Sequence, residues 1–346
     1  MIKEQHFDML QIFRGIACLL VVFHHGYANF EYFIYKLNVP FIEFISKNGK
    51  YGVDFFFVLS GFIITYTTYK YKNNKTYLKT YILNRIFKIY IPYLPISVIV
   101  LLLYKFTPLT NVDRPISVLT SLTLFPLGET ALVVAWTLVF EVFFYIIFSV
   151  NFFSSKVWNV FVPFWVVAII LVNYLGTLSN NVFFNLIFNL YNLEFILGFL
   201  VAVLIKKEIK FNVYLTVFSV LLLLCAFVWM RTNQFEFFKF SSHLIIALSC
   251  SILVYLSIHV WNWKINQKNI LMLIGNSSYS LYLVHTLFFG IMFRLIPVTK
   301  SKPIALLEFF TLIAVCCFIS YIYYLVFEKK ITSFFKSKFS QSRIIR

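Results

Sequence analysis

Residues 7–30 read FDMLQIFRGIACLLVVFHHGYANF. Apart from a few charged and histidine positions this is one apolar run. About 20 such residues in a helix cross the hydrocarbon core of a bilayer. A cleaved leader would be shorter and would end in a small-residue cleavage site. Here Asp8 and Arg14 interrupt a longer run and no such site follows. The run therefore reads as a first membrane span.

Residues 51–69, YGVDFFFVLSGFIITYTTY, repeat the pattern. Further apolar runs are expected near 86–106, 131–152, 157–175, 182–205, 211–230, 241–260, 272–296 and 303–328. A chain crossing lipid must satisfy its backbone within each segment, so these runs are helices. The predicted fold class is all-α: a polytopic integral membrane protein of about ten transmembrane helices, with no appended soluble domain. It forms a single domain over 1–346, with a core of 7–330 and a tail of 329–346. The stretch 107–130, with Pro108, Asp113, Arg114, Pro115 and Pro126, is too short and broken to span. A surface or re-entrant segment is expected there.

Composition excludes the main alternatives. Of 346 residues, 61% are hydrophobic and 12% charged, against roughly 25% charged in a globular domain. Disorder needs the opposite balance. The net charge of +17 does not make a nucleic-acid binder, because the Lys and Arg residues sit in the polar gaps between apolar runs. Orientation signals are distributed in that way. With the N-terminus in the cytoplasm, the inner side collects roughly twice as many Lys and Arg as the outer. An even number of spans then returns the C-terminus to the cytoplasm. The five cysteines, Cys18, Cys225, Cys250, Cys316 and Cys317, lie within apolar runs and form no C-x-x-C. Neither a disulfide framework nor a metal site is expected from them.

Ionisable groups inside a span are costly unless they face the bundle interior, so each is a functional candidate. Arg14 and His25 stand three helical turns plus about 20° apart, on one face, with about 16 Å of axial separation. Adjacent His24 points about 100° away. Asp54 enters the second span from the same side as His25. The two are expected partners, with the carboxylate on His25 Nδ1 fixing the tautomer. Ser60 and Gly61 form a small pair that lets a neighbouring helix come close. WTLVFEVFFY sets Thr137, Glu141 and Tyr145 at i, i+4 and i+8, with Trp136 at the outer end, and GNSSYSLYLVH sets Ser278, Tyr282 and His285 on one face. For each polar position, interhelical hydrogen bonding without chemistry is the competing reading.

At these residues the sequence resembles a known family. Arg14, His25, GVDFFFVLSGF, WTLVFE, GNSSYSLYLVH and Glu328, in this order and spacing, are similar to the membrane acyltransferase-3 family over about residues 7–330. The resemblance implies a ten-helix enzyme that moves an acyl group, commonly acetyl from acetyl-CoA, onto carbohydrate hydroxyls of envelope polysaccharides. It implies His25 as the essential histidine and Arg14 as the arginine of the same signature. In the family the third span opens on arginines; here the motif is Arg85, Ile86, Phe87 and Lys88, and Lys88 keeps the charge without the bidentate fork. Thr286 follows His285 where the family often has proline. No extracellular hydrolase-like domain is expected.

The resulting expectations are specific. His25, Arg14, Asp54 and Glu141 are the candidate catalytic residues. Arg14, Arg85 and Lys88 are the candidate cradle for CoA phosphates. Trp136, Tyr282 and His285 are the candidates for binding a carbohydrate acceptor. Acetyl-CoA or another acyl-CoA is the expected donor, with no metal. Membrane lipid is the surrounding partner, nucleic acid is not a partner, and nothing in the sequence sets an oligomeric state. The expected location is the plasma (inner) membrane. His25 acts either as general base or through an acyl-histidine. The rival class is a transporter or flippase of a glycan or lipid-linked sugar, although the inverted repeats and broken helices of transporters are not evident. A membrane scaffold without chemistry is the third reading. The orientation is checked by single cysteines added to a background lacking native ones. Those in 70–84 should label only after the inner face is opened, and those in 107–130 from outside.

Overall fold

The computed structural model describes residues 7–106, 114–177, 179, 181–232, 238–261, 263–299 and 301–335. Helices begin where the apolar runs begin, and polar caps set many of the starts. The chain order is α1 (Asp8–Phe33), α2 (Pro40–Gly49), α3 (Gly52–Thr68), α4 (Leu78–Phe106), α5 (Val118–Thr123), α6 (Trp136–Phe148), α7 (Val150–Phe153) and α8 (Ser155–Tyr174). There follow α9 (Val182–Ile187), α10 (Tyr191–Lys206), α11 (Val213–Thr232), α12 (Phe238–His259), α13 (Ile270–Asn276), α14 (Ser278–Leu295) and α15 (Lys302–Tyr323). Ser154 caps α8 through Val157 N, Asn181 caps α9 through the amides of Phe183 and Phe184, and Asn269 caps α13 through Leu271 N. No strand occurs among the described residues; Ile116 and Glu129 make one isolated bridge.

Nine helical segments among the described residues are long and apolar enough to cross a membrane. The sequence reading placed a tenth at 272–296. That stretch is helical too, but it breaks at Ser277 between α13 and α14. Ser278, Ser280, Tyr282 and His285, all buried, supply the polarity of α14. Helix α14 thus turns several polar groups inward. At the opposite extreme, the most apolar window of α11, Val213–Met230, has no residue buried within the chain. Lipid is the natural neighbour of such a surface.

The chain divides into two compact units. The first comprises 1–11, 53–78 and 140–266, and the second 12–52, 79–139 and 267–346. In the first unit α12 packs against both α10 and α11. There α3 and α10 also cross at glycine. A Cβ on Gly61 would lie 2.0 Å from the Phe195 carbonyl oxygen, and one on Gly198 would lie 1.9 Å from the Val58 oxygen. The close approach expected at Ser60–Gly61 is therefore backbone on backbone, and Gly198 is its counterpart on α10.

In the second unit α14 packs along α15, and α1 approaches α13 at Gly15, where a Cβ would meet the Leu271 oxygen at 2.6 Å. Pro92 and Pro95 interrupt the ladder of α4. The hydroxyls of Tyr279 and Tyr323 donate to the carbonyls of Ile89 and Pro92, at 3.0 and 2.6 Å, in that stretch. Neighbouring side chains make a proline-containing span tolerable in just this way. Residues 107–113, with Pro108 and Asp113, lie outside the described residues. From 114 onward the predicted non-spanning segment is a short helix and turns tied to α4. Tyr93 and Ser97 both donate to the Ser121 carbonyl, at 2.6 and 2.5 Å, and Arg114 pairs with Glu129 at 2.8 Å.

The glycine crossing yields a stability prediction. Gly198→Ala must push α10 off α3 and should cost about 1–3 kcal/mol or more. Gly290→Ala, where the nearest atom is the Arg294 guanidinium at 3.8 Å, should be neutral or stabilising. Thermal unfolding of the two purified variants against the parent chain compares them directly.

Candidate active site

Helix α1 carries two functional candidates of the second unit, Arg14 and His25, both half-buried. Arg14 donates from Nη2 to Ser278 Oγ at 2.9 Å, at the first residue of α14. Two turns further along α14, His285 is fully buried and its Nε2 lies 3.2 Å from His25 Nδ1. The two polar ends of α1 thus meet the two ends of one polar face on α14. Tyr282, between them, exchanges a hydrogen bond with Thr137 at 2.9 Å and reaches the Val134 carbonyl at 3.0 Å.

The histidine pair determines its own tautomers. His285 Nδ1 lies 3.1 Å from the Leu281 carbonyl oxygen, which only accepts. That nitrogen therefore carries the proton, and His285 Nε2 offers a lone pair to His25. His25 Nδ1 has two acceptors, that lone pair and the Val21 carbonyl at 3.1 Å. Its proton consequently resides on Nδ1, and Nε2 is left as a base. His24 turns away, its Nδ1 2.9 Å from the Ser46 carbonyl of α2.

This corrects the expected partner of His25. A carboxylate was expected at Nδ1, and Asp54 was its candidate. Instead a neutral imidazole and a carbonyl hold the Nδ1 proton, while Asp54 meets His243 at 3.5 Å in the first unit. Spacing along one helix placed Arg14 and His25 correctly on one face; which carboxylate reaches which histidine depends on helix neighbours, and spacing does not carry that information. Asp8 accepts from Ile265 N at 3.0 Å, and Arg14 binds Ser278.

At the Arg14 end the second unit also holds Glu328. Its carboxylate accepts from Ser280 Oγ at 2.8 Å, and the charges of Arg14 and Lys88 act on it. Glu328 lies in a π-helical continuation of α15, Tyr324–Ile331. Widened turns of this kind occur often at functional sites. Lys88 and Arg85 are half-buried on α4, and the Arg85 guanidinium sits 5.8 Å from the Tyr81 ring centroid.

The remaining candidates separate. Glu141, in the first unit, accepts from Ser60 at 3.0 Å and from the Tyr145 hydroxyl, which is itself 3.1 Å from Ser60. Trp136 stands at the N-terminal end of α6 and is 38% exposed. Also in the first unit, Tyr66, Lys206, Glu208, Lys210 and His259 line a polar cleft of about 410 Å³. Lys206 Nζ lies 3.5 Å from the Tyr66 ring centroid there. Sequence reasoning passed over Glu194 and His243, which lie in YNLEFILGF and SSHLIIAL. The signal that singled out Asp54 and Glu141, an ionisable group in an apolar run, was present at both.

The fold defines a multi-pass membrane protein with histidine and arginine side chains within its helices. The profile of the acyltransferase-3 family, described as an acyltransferase domain, matches residues 8–325. The chain belongs to this family of membrane acyltransferases. No curated protein and no solved structure was found to be similar to it.

The tautomer argument makes His285 a positioning residue for His25. His285→Phe keeps the ring and removes the lone pair. It should lower kcat about 10–100-fold, as loss of a group orienting a functional histidine does, while KM for the acyl donor changes little. Steady-state kinetics on the variant tests this, and His285→Gln, which restores an acceptor, should recover part of the loss.

Proposed function

We propose that this chain is an O-acyltransferase that moves acetyl from cytoplasmic acetyl-CoA to a hydroxyl of an envelope polysaccharide or lipid-linked sugar. It works from the plasma (inner) membrane with both termini in the cytoplasm. The observation that carries the reading is the His25–His285 pair, whose hydrogen bonds leave His25 Nε2 unprotonated.

In the proposed reaction His25 Nε2 takes the proton of the sugar hydroxyl as its oxygen attacks the thioester carbonyl carbon. The tetrahedral intermediate collapses, the carbon–sulfur bond breaks, and the departing thiolate recovers the proton from the imidazolium. The products are the sugar ester and free CoA. While the imidazole is charged, the Val21 carbonyl and His285 Nε2 continue to accept its Nδ1 proton. This base catalysis contributes about 10²–10⁴ in rate.

Acetyl-CoA is polyanionic at its nucleotide end. Arg14, Arg85 and Lys88, all in the second unit, are proposed to hold its phosphates, with Glu328 limiting the excess charge. Arg14 lies about 16 Å along α1 from His25 on the same helix face. A thioester reaching from that end would bring its carbonyl toward His25. Trp136 and Tyr282, both in the second unit, are proposed to line the acceptor path with His285, the aromatic faces suiting sugar rings.

Purified chain in detergent, given acetyl-CoA and a de-acetylated envelope glycan, should release CoA thiol. His25→Ala should reduce release about 10²–10⁴-fold, and His24→Ala much less. Arg85→Glu should raise KM for acetyl-CoA with kcat largely kept. Equal rates in the parent and His25→Ala would remove the base assignment, and no acetyl-CoA turnover with any glycan would return the transporter reading.

A further inference from the structure

Three helices of the first unit bring ionisable groups together. Asp54 lies in the first turn of α3, Glu194 in the first turn of α10, and His243 near the start of α12. The two carboxylates are 3% and 0% exposed. Among the described residues, no N–H or hydroxyl donor reaches either Glu194 oxygen or Asp54 Oδ1, and the Glu194 carboxyl lies within side-chain hydrogen-bonding reach of Asp54. What faces Glu194 is Asp54 and His243.

The spacing from His243 is not that of hydrogen bonds. His243 Nδ1 stands 3.5 Å from Asp54 Oδ1 and 3.6 Å from Glu194 Oε1, and one donor atom from each residue lies within 4.8 Å of the others. An N–H···O bond spans about 2.7–3.2 Å. Ligands bonded at about 2.1 Å around a tetrahedral ion sit about 3.4 Å apart. The separations from the imidazole to both carboxylates match the second geometry.

Charge points the same way. The N-terminal ends of α3 and α10 favour ionised carboxylates, and two buried anions need compensation. A proton on His243 neutralises one. A divalent cation neutralises both and satisfies three donor atoms at once. The cluster is also held rigidly. The Gly61 and Gly198 contacts fix α3 against α10, and the Tyr191 ring stands edge-on to His243 at 5.1 Å. The His243 side chain is 20% exposed, which leaves a route of entry.

We propose that Asp54, Glu194 and His243 ligate a first-row divalent cation that clips α3, α10 and α12 together. One imidazole with two carboxylates is a donor set suited to zinc or manganese, with water completing the coordination. The site uses none of the residues assigned to base catalysis or to the CoA phosphates. The proposal departs from the expectation of a metal-free chain, and it gives Asp54, expected among the catalytic residues, a ligand role.

The test uses full-length, tag-free protein in detergent, stripped with a chelator and then given Zn²⁺ or Mn²⁺ alone. Bound metal per chain and thermal unfolding are read. The chain should take up about one ion and unfold at a higher temperature when loaded. Glu194→Gln, which preserves shape, and His243→Gln should each weaken uptake more than about 10-fold. Should one variant not fold, the other carries the comparison. Failure of the parent to bind either ion, or binding undiminished in a folded variant, overturns the proposal. So does a Glu194→Gln chain more stable than the metal-loaded parent, because the cluster would then be sharing a proton.

Discussion

Hydrocarbon offers a polar group no water, so each hydroxyl, imidazole and guanidinium within a span must find its partner in the chain. Much of this structure answers that constraint. Thr65 and Thr68 return their hydroxyls to the carbonyls of Gly61 and Ile64, and Ser249 and Ser251 to those of Ile245 and Ala247. These are the least demanding solutions, because helix geometry alone supplies the acceptor. Arg14 and Tyr282 are not satisfied in that way, and His285 only at Nδ1, through the Leu281 carbonyl. Their remaining partners come from other segments, and the packing of α14 against its neighbours follows from where those partners are.

Close helix approach makes such pairing possible. Hydrogen bonds of about 3 Å between helices need backbones near one another, and glycine provides this at Gly15, Gly61 and Gly198. The same contacts explain how acidic groups are tolerated in an apolar bundle. Ser60, beside Gly61, reaches Glu141 and Tyr145 because its helix is held close. Packing by small residues and bonding by polar ones operate here as one device.

Function draws on the groups for which partnership leaves something over. In the His25–His285 pair two carbonyls and one lone pair account for three of the four ring nitrogens, and the fourth is available for chemistry. Around Asp54, Glu194 and His243 the balance runs the other way, with acceptors in excess of donors. We propose that the first arrangement serves as a base and the second as a place for a cation. Both arise from the same accounting of polar atoms in a medium without water.

The sequence by itself determined the class of fold, because a run of about 20 apolar residues has one common fate in a bilayer. It also determined which faces matter. Arg14 and His25, or Ser278, Tyr282 and His285, share a face through the 3.6-residue period, a purely local property. The GVDFFFVLSGF, WTLVFE and GNSSYSLYLVH segments sufficed for the family. What the sequence did not carry was which face meets which. The expected Asp54–His25 pair gave way to His285–His25 and to Asp54 with Glu194 and His243, and Ser278 emerged as the partner of Arg14. Residues 260 or more positions apart in the chain, such as His25 and His285, are joined by helix packing. Packing is decided by glycine contacts and side-chain shape across several helices at once, and only the tertiary structure resolves it.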